Sequence, residues 1–125
     1  MKEVINPGTP VAGPYSPGIK IGKNIYISGQ GWAEESSDIS KQTYQTLNNI
    51  KKIINSAGGK VSHIVATTVY LKNIEDFDKM NSTYQRFFED NGVTKGFPAR
   101  STVEVSNLPK AAMLIEIDAT AILKQ

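Results

Sequence analysis

Two residues carry most of the chemical promise of this chain, Arg100 and Glu116. Of 14 basic residues only Arg86 and Arg100 are arginine, the rest being lysine. Lysine suits a solvated surface, whereas the arginine fork binds a carboxylate or phosphate through two parallel hydrogen bonds. Arg100 follows Phe97-Pro98-Ala99 at the start of an alternating segment, where it could clamp a small anion or form an ion pair with Glu104 or Glu116. Glu116 interrupts the apolar run AMLIEIDATAIL. A carboxylate there is costly to bury unpaired. It could hold and polarise a water molecule, or pair with a cation on a neighbouring strand. Burial would raise its pKa and a nearby arginine would lower it, and the sequence leaves that open. Arg86, in TYQRFFED, reads as a solvated helix residue. Tyr15 and Asn81, taken alone, read as structural, and His63 as a polar residue at a strand edge.

Composition narrows the chemistry. There is no cysteine, which removes disulfides, thiolate metal sites and a thiol nucleophile. A single histidine excludes a multi-histidine metal site and leaves His63 as the one candidate for a Ser-His-Asp triad. A net charge of +2 gives no strong case for nucleic acid or an anionic membrane. The N-terminal residues lack the apolar centre of a signal peptide, and no apolar run approaches the roughly 20 residues of a membrane span. A cytoplasmic protein is the expectation.

These side chains need a scaffold. With 125 residues, 39% hydrophobic and 21% charged, residues 1–125 read as one folded domain without repeats or linkers. Residues 6–18, holding four of the six prolines, form an irregular leading segment. Ile19 and Ile21, then Ile25 and Ile27, alternate around Gly22-Lys23-Asn24, which predicts a hairpin. A helix begins near Asp38, with Leu47, Ile50, Ile54 and Ala57 on one stripe and Gly58-Gly59 at its end. Residues 63–71 predict a central strand. Asn73 and Asp76 open a second helix whose buried stripe is Phe77, Met80, Tyr84, Phe87 and Phe88. ARSTVEV and AMLIEIDATAIL supply two more strands. The order β-β-α-β-α-β-β predicts a two-layer α+β domain, with both helices on one face of a mixed sheet. The uncovered face is expected to carry Arg100, Thr102, Glu116 and several apolar groups, and so to pack against another subunit.

The stretch FPARSTVEVSNLPKAAMLIEI resembles the C-terminal signature of the RidA/YjgF family of imine deaminases. GPYSPG at 13–18, YISGQ at 26–30 and DFDKMNSTYQRFF at 76–88 agree with it in order and spacing. The resemblance implies a chorismate-mutase-like fold assembled as a homotrimer, with sites between subunits. It implies hydrolysis of 2-aminoacrylate and 2-iminobutanoate to 2-oxo acids and ammonia, without cofactor or metal. It also assigns roles. Arg100 would bind the substrate carboxylate and Glu116 would position the attacking water. Tyr15, Ser28 and Asn81 would line the cleft. Thr102, standing where many relatives have cysteine, would offer backbone groups. The loop after Gln30, containing Trp32, looks shorter than in typical relatives, which bears on substrate preference. Two other functions compete: a non-catalytic ligand-binding or chaperone-like protein, and RNA cleavage, which the charge and lone histidine disfavour.

Overall fold

The computed structural model describes residues 1–124. Six strands form one sheet: β1 (Lys2–Ile5), β2 (Gly18–Ile21), β3 (Asn24–Gln30), β4 (Ile64–Leu71), β5 (Ala99–Glu104) and β6 (Ile115–Ile122). Two helices, α1 (Ile39–Ser56) and α2 (Phe77–Asp90), cover one face. The sheet order is β1-β2-β3-β6-β4-β5. All pairs are antiparallel except β4 and β5, which run parallel because α2 carries the chain back between them. The two-layer mixed α+β architecture matches the expectation. β1 is an addition to it; with only Ile5 buried, this four-residue strand has too little alternation to read from sequence.

Asp38 starts α1 by accepting a hydrogen bond from the Lys41 N–H at 2.9 Å. Gly58, at φ 88°, ends the helical run in a conformation that other residues adopt only with strain. Asn73 caps a short 3-10 turn at Ile74–Asp76 rather than α2 itself, accepting from the Glu75 N–H. The core lies between the layers. Leu47, Ile50, Ile53 and Ile54 of α1 and Met80, Phe87 and Phe88 of α2 meet Ile25, Val69, Leu71, Ile115 and Ile117 of the sheet. Full burial of each such side chain stabilises the fold by about 1.5–3 kcal/mol. Phe77 departs from its expected place in the buried stripe. It is the first residue of α2, at the rim of the layer, and 37% of it stays exposed beside Arg100.

The sheet faces are arranged differently from the expectation. Parallel pairing sets Arg100 beside Thr67, Thr102 beside Val69 and Glu104 beside Leu71. Paired residues share a face, so Arg100 and Thr102 lie on the helix side. Glu116 pairs with Tyr70 and points to the open side. The two segments were read correctly in their alternation, but alternation alone does not say which phase of an edge strand meets the helices.

Candidate active site

Arg100 reaches past the edge of the sheet toward α2. Its Nη2 donates to Asn81 Oδ1 at 2.7 Å, and Nη1 lies 3.9 Å from Met80 Sδ. The guanidinium carbon sits 4.8 Å from the Tyr84 ring centroid and 5.7 Å from that of Phe77, within cation–π range. Tyr84 is fixed in turn by a buried 2.8 Å hydrogen bond between its hydroxyl and Thr67 Oγ1. Burial holds the Tyr84 phenol above its ordinary pKa, so it stays neutral beneath the cation. Among the described residues the one salt bridge joins Lys41 and Glu34, so Arg100 is not spent on an internal carboxylate. It opens instead into a cleft of about 470 Å³ with Asn81, Tyr84, Gln85, Phe97 and Pro98. Five N–H groups on a guanidinium, with a single strong acceptor here, leave the fork able to take a carboxylate.

Glu116 belongs to a second cleft, of about 360 Å³, on the other side of the sheet. Its walls are the strap Thr9–Ala12, Tyr15, Gly29–Gly31, Asn49, Lys110 and Met113. A bulge builds this wall. Ile27 pairs with Ala119 and Gln30 with Ile117, so Ser28 and Gly29 together oppose Asp118. Gly29 thereby comes against the Glu116 carboxylate; a Cβ added there would collide with Oε2. The Glu116 carboxyl is raised above its usual range, first by desolvation and then by the charge of Asp118. Within one chain no arginine faces Glu116. Tyr70 donates to Asp118 Oδ2 at 3.0 Å on the same face.

The remaining residues divide between the two clefts. Tyr15 lines the Glu116 cleft, 49% exposed, with its hydroxyl oxygen accepting from the Ala12 N–H at 3.2 Å. Ser28 is turned the other way: its hydroxyl donates to Ser16 O at 2.6 Å and its N–H to Pro17 O. It fastens the strap. Asn81 stands with Arg100, and Thr102 follows two residues along β5, outside the walls of either cleft. Trp32 is held off the cleft by Glu34, to which its indole N–H donates at 3.2 Å, while Gly31 and Ala33 line the wall. Arg86 lies over the Tyr44 ring on the surface, and His63 Nδ1 accepts from the Lys60 N–H. Among the described residues no group of three His, Asp or Glu side chains is placed to hold a metal.

Sequence reasoning missed the Tyr84 platform, Gly29, and the α1 side chains Gln42 and Asn49. Gln42 had a signal, since it falls with Ile39, Leu47, Ile50 and Ile53 on the buried side of α1.

The fold is a two-layer α+β sandwich with an arginine-lined cleft on one face and a carboxylate-lined cleft on the other. The chain belongs to the family described as Endoribonuclease L-PSP, whose model matches residues 7–123, and thus to the RidA/YjgF group that its motifs resemble. It is 42% identical to the 2-iminobutanoate/2-iminopropanoate deaminase of Escherichia coli K12, over 97% of both chains. It is 45% identical to a RutC family protein of Pyrococcus horikoshii, over 97% of this chain and 98% of that one. The crystal structure of the E. coli YjgF gene product superposes with a TM-score of 0.87 at 40% identity, covering 97% of this chain and 98% of that one. E. coli TdcF, solved with bound serine, gives 0.89 at 32% identity, covering 98% of this chain and 99% of that one. No helix among the described residues is long and apolar enough to cross a membrane.

Proposed function

We propose that this chain is an imine deaminase, hydrolysing small 2-imino acids such as 2-iminobutanoate, and 2-aminoacrylate through its imine tautomer, to 2-oxo acids and ammonia. One observation carries the reading: a guanidinium oriented by Asn81 and two aromatic faces, without a carboxylate partner, at the wall of an open cleft. Relatives of closely similar length are named for this reaction.

Arg100 grips the substrate carboxylate and fixes the plane of the imine. Glu116, as carboxylate, takes a proton from water as the water oxygen bonds to the imine carbon, and passes it to the nitrogen to give the carbinolamine. The carbinolamine hydroxyl proton then passes by way of Glu116 to the nitrogen, the C=O forms as the C–N bond breaks, and ammonia leaves. Tyr15 and Asn81 shape the two ends of the site. Ser28 holds the strap that carries Tyr15, and Thr102 offers backbone groups next to Arg100.

Arg100 and Glu116 face opposite sides of one chain, so they meet only between copies. The open face supports that assembly. Val4, Ile21, Tyr26, Val103 and Ile122 are exposed on it, a patch of the kind that marks an interface. A homotrimer with a site at each subunit junction is the arrangement we favour. A labile internal metabolite as substrate fits a cytoplasmic location.

The test is ammonia release from an imino acid generated in situ by a pyridoxal-phosphate-dependent dehydratase, with and without the purified protein. Unchanged release rates would refute the deaminase reading. Complementation tests the shared site. Arg100→Ala and Glu116→Gln, each strongly impaired alone, are unfolded together, refolded and assayed. Random mixing gives about one junction in four with both groups intact, hence about a quarter of wild-type activity; no recovery would refute the shared site.

A further inference from the structure

Gln42 on the buried face of α1, and Asn49 at the margin of that face and of the Glu116 cleft, carry amides that the mechanism above does not use. Gln42 is fully buried. Its Nε2 donates to Ala112 O at 2.8 Å and, more loosely, to Glu34 O at 3.4 Å, while its Oε1 accepts from the Leu114 N–H at 2.8 Å. Asn49, two turns further along the same side of the helix, donates from Nδ2 to Gly31 O at 3.0 Å. All four backbone partners lie in the two loops that frame the Glu116 cleft. Gly31 and Glu34 follow β3, and Ala112 and Leu114 precede β6. Those loops supply Gly31, Ala33, Lys110 and Met113 to the cleft wall, and Leu114 is two residues from Glu116.

Filling space does not require an amide here, because leucine would occupy the same volume without polar groups to satisfy. What the amide adds is direction. A hydrogen bond weakens steeply with misalignment, so a buried side chain bonded to a C=O and an N–H two residues apart fixes that stretch of backbone in place and orientation. We propose that Gln42 and Asn49 are positioning residues that hold the two loops of this cleft to α1, and thereby set where the Glu116 carboxylate stands relative to the substrate's reacting carbon. The inference rests on the deaminase reading of the cleft. It concerns the hydrolytic side only, since Arg100 and its carboxylate clamp lie on the other face.

The experiment compares wild type, Gln42→Leu and Asn49→Ala as assembled proteins. Amide hydrogen exchange is read residue by residue, together with kcat and KM for imine hydrolysis and the dissociation constant for 2-oxobutanoate. The amides of residues 31–36 are expected to exchange at least about tenfold faster in both variants, and those of 110–114 in Gln42→Leu, with β4 and α2 unchanged. kcat is expected to fall about tenfold while 2-oxobutanoate affinity stays within about twofold, a split that general loosening would not produce. Unchanged loop exchange, protection lost evenly across the domain, or affinity falling in step with kcat would each overturn the proposal. Should Gln42→Leu fail to fold, Asn49→Ala decides by the same criteria, because Asn49 is only half-buried. Wild-type turnover by Glu116→Gln would instead refute the role of Glu116, and the exchange measurement would still decide whether the amides hold the loops.

Discussion

Arg100 is held by Asn81, its Nη2 donating to Asn81 Oδ1 at 2.7 Å across the gap between β5 and α2. A neutral acceptor orients the guanidinium without neutralising it, so the full charge remains for a ligand. The charge-assisted bonds that this leaves unmade are the stronger kind.

Arg100→Ala is therefore expected to lower kcat/KM for a 2-imino acid by about 100-fold, the value of two charge-assisted hydrogen bonds. Arg100→Lys keeps the charge but loses the fork, and should fall about tenfold. Far-UV circular dichroism should be unchanged in both. Rates of 2-oxo acid formation give the comparison.

The Tyr84–Thr67 hydrogen bond is a stability matter rather than an affinity one. Tyr84→Phe leaves a buried Thr67 hydroxyl unpaired, at an expected cost of about 1–3 kcal/mol in urea unfolding. Its ring still lies beneath Arg100, so 2-oxobutanoate affinity should change less than about twofold. Adding Thr67→Val removes the orphaned hydroxyl and should restore much of the lost stability.

Gly29 tolerates no side chain without moving Glu116. The Cβ of Gly29→Ala would collide with the carboxylate at both Oε2 and Cδ. The carboxylate must swing aside, and kcat should fall about tenfold or more, by the usual sensitivity of rate to misplacement. A crystal structure of the variant would show the displaced side chain.

Glu116 also links stability to pH. Its folded pKa is raised, so between the ordinary carboxylate value of 4.5 and that raised value the folded state binds more protons than the unfolded one. Stability attributable to this residue is present at acid pH and is lost as pH rises through that window. For the separated chain, where no arginine faces Glu116, Glu116→Gln should accordingly raise Tm at neutral pH, with the difference from wild type vanishing below pH of about 4. Scanning calorimetry from acid to neutral pH measures it. The same residue should set the acid limb of kcat, which falls as its carboxylate is protonated.

Much of this molecule was legible in its residues, for identifiable reasons. The helices were, because Leu47, Ile50 and Ile54, and Met80, Tyr84, Phe87 and Phe88, repeat at helical spacing and are buried. β6 was, because Ile115, Ile117, Ala119 and Ala121 alternate strictly and face the core, although the strand starts at Ile115 and Met113 lies in the loop before it, on the cleft wall. The sides on which Arg100 and Glu116 fall were not. Each depends on which strand pairs with which, and pairing between β4 and β5 or β4 and β6 is set by contacts distant in sequence. Ile19 and Ile21 show the same ambiguity: they alternate like Ile25 and Ile27 but pair with Tyr26 and Asn24 on the open face. The bulge at Ser28–Gly29 was equally hidden, since nothing in the letters SGQ marks a doubled residue.

An arginine left without an acidic neighbour also has a bearing on how this protein is handled at the bench. If the fork is the carboxylate clamp proposed above, any small oxyanion is a rival for it, and acetate, citrate and phosphate buffers are expected to compete with substrate. Kinetic constants measured in them understate the enzyme, and Tris or another cationic buffer with chloride as counterion leaves the fork to the substrate.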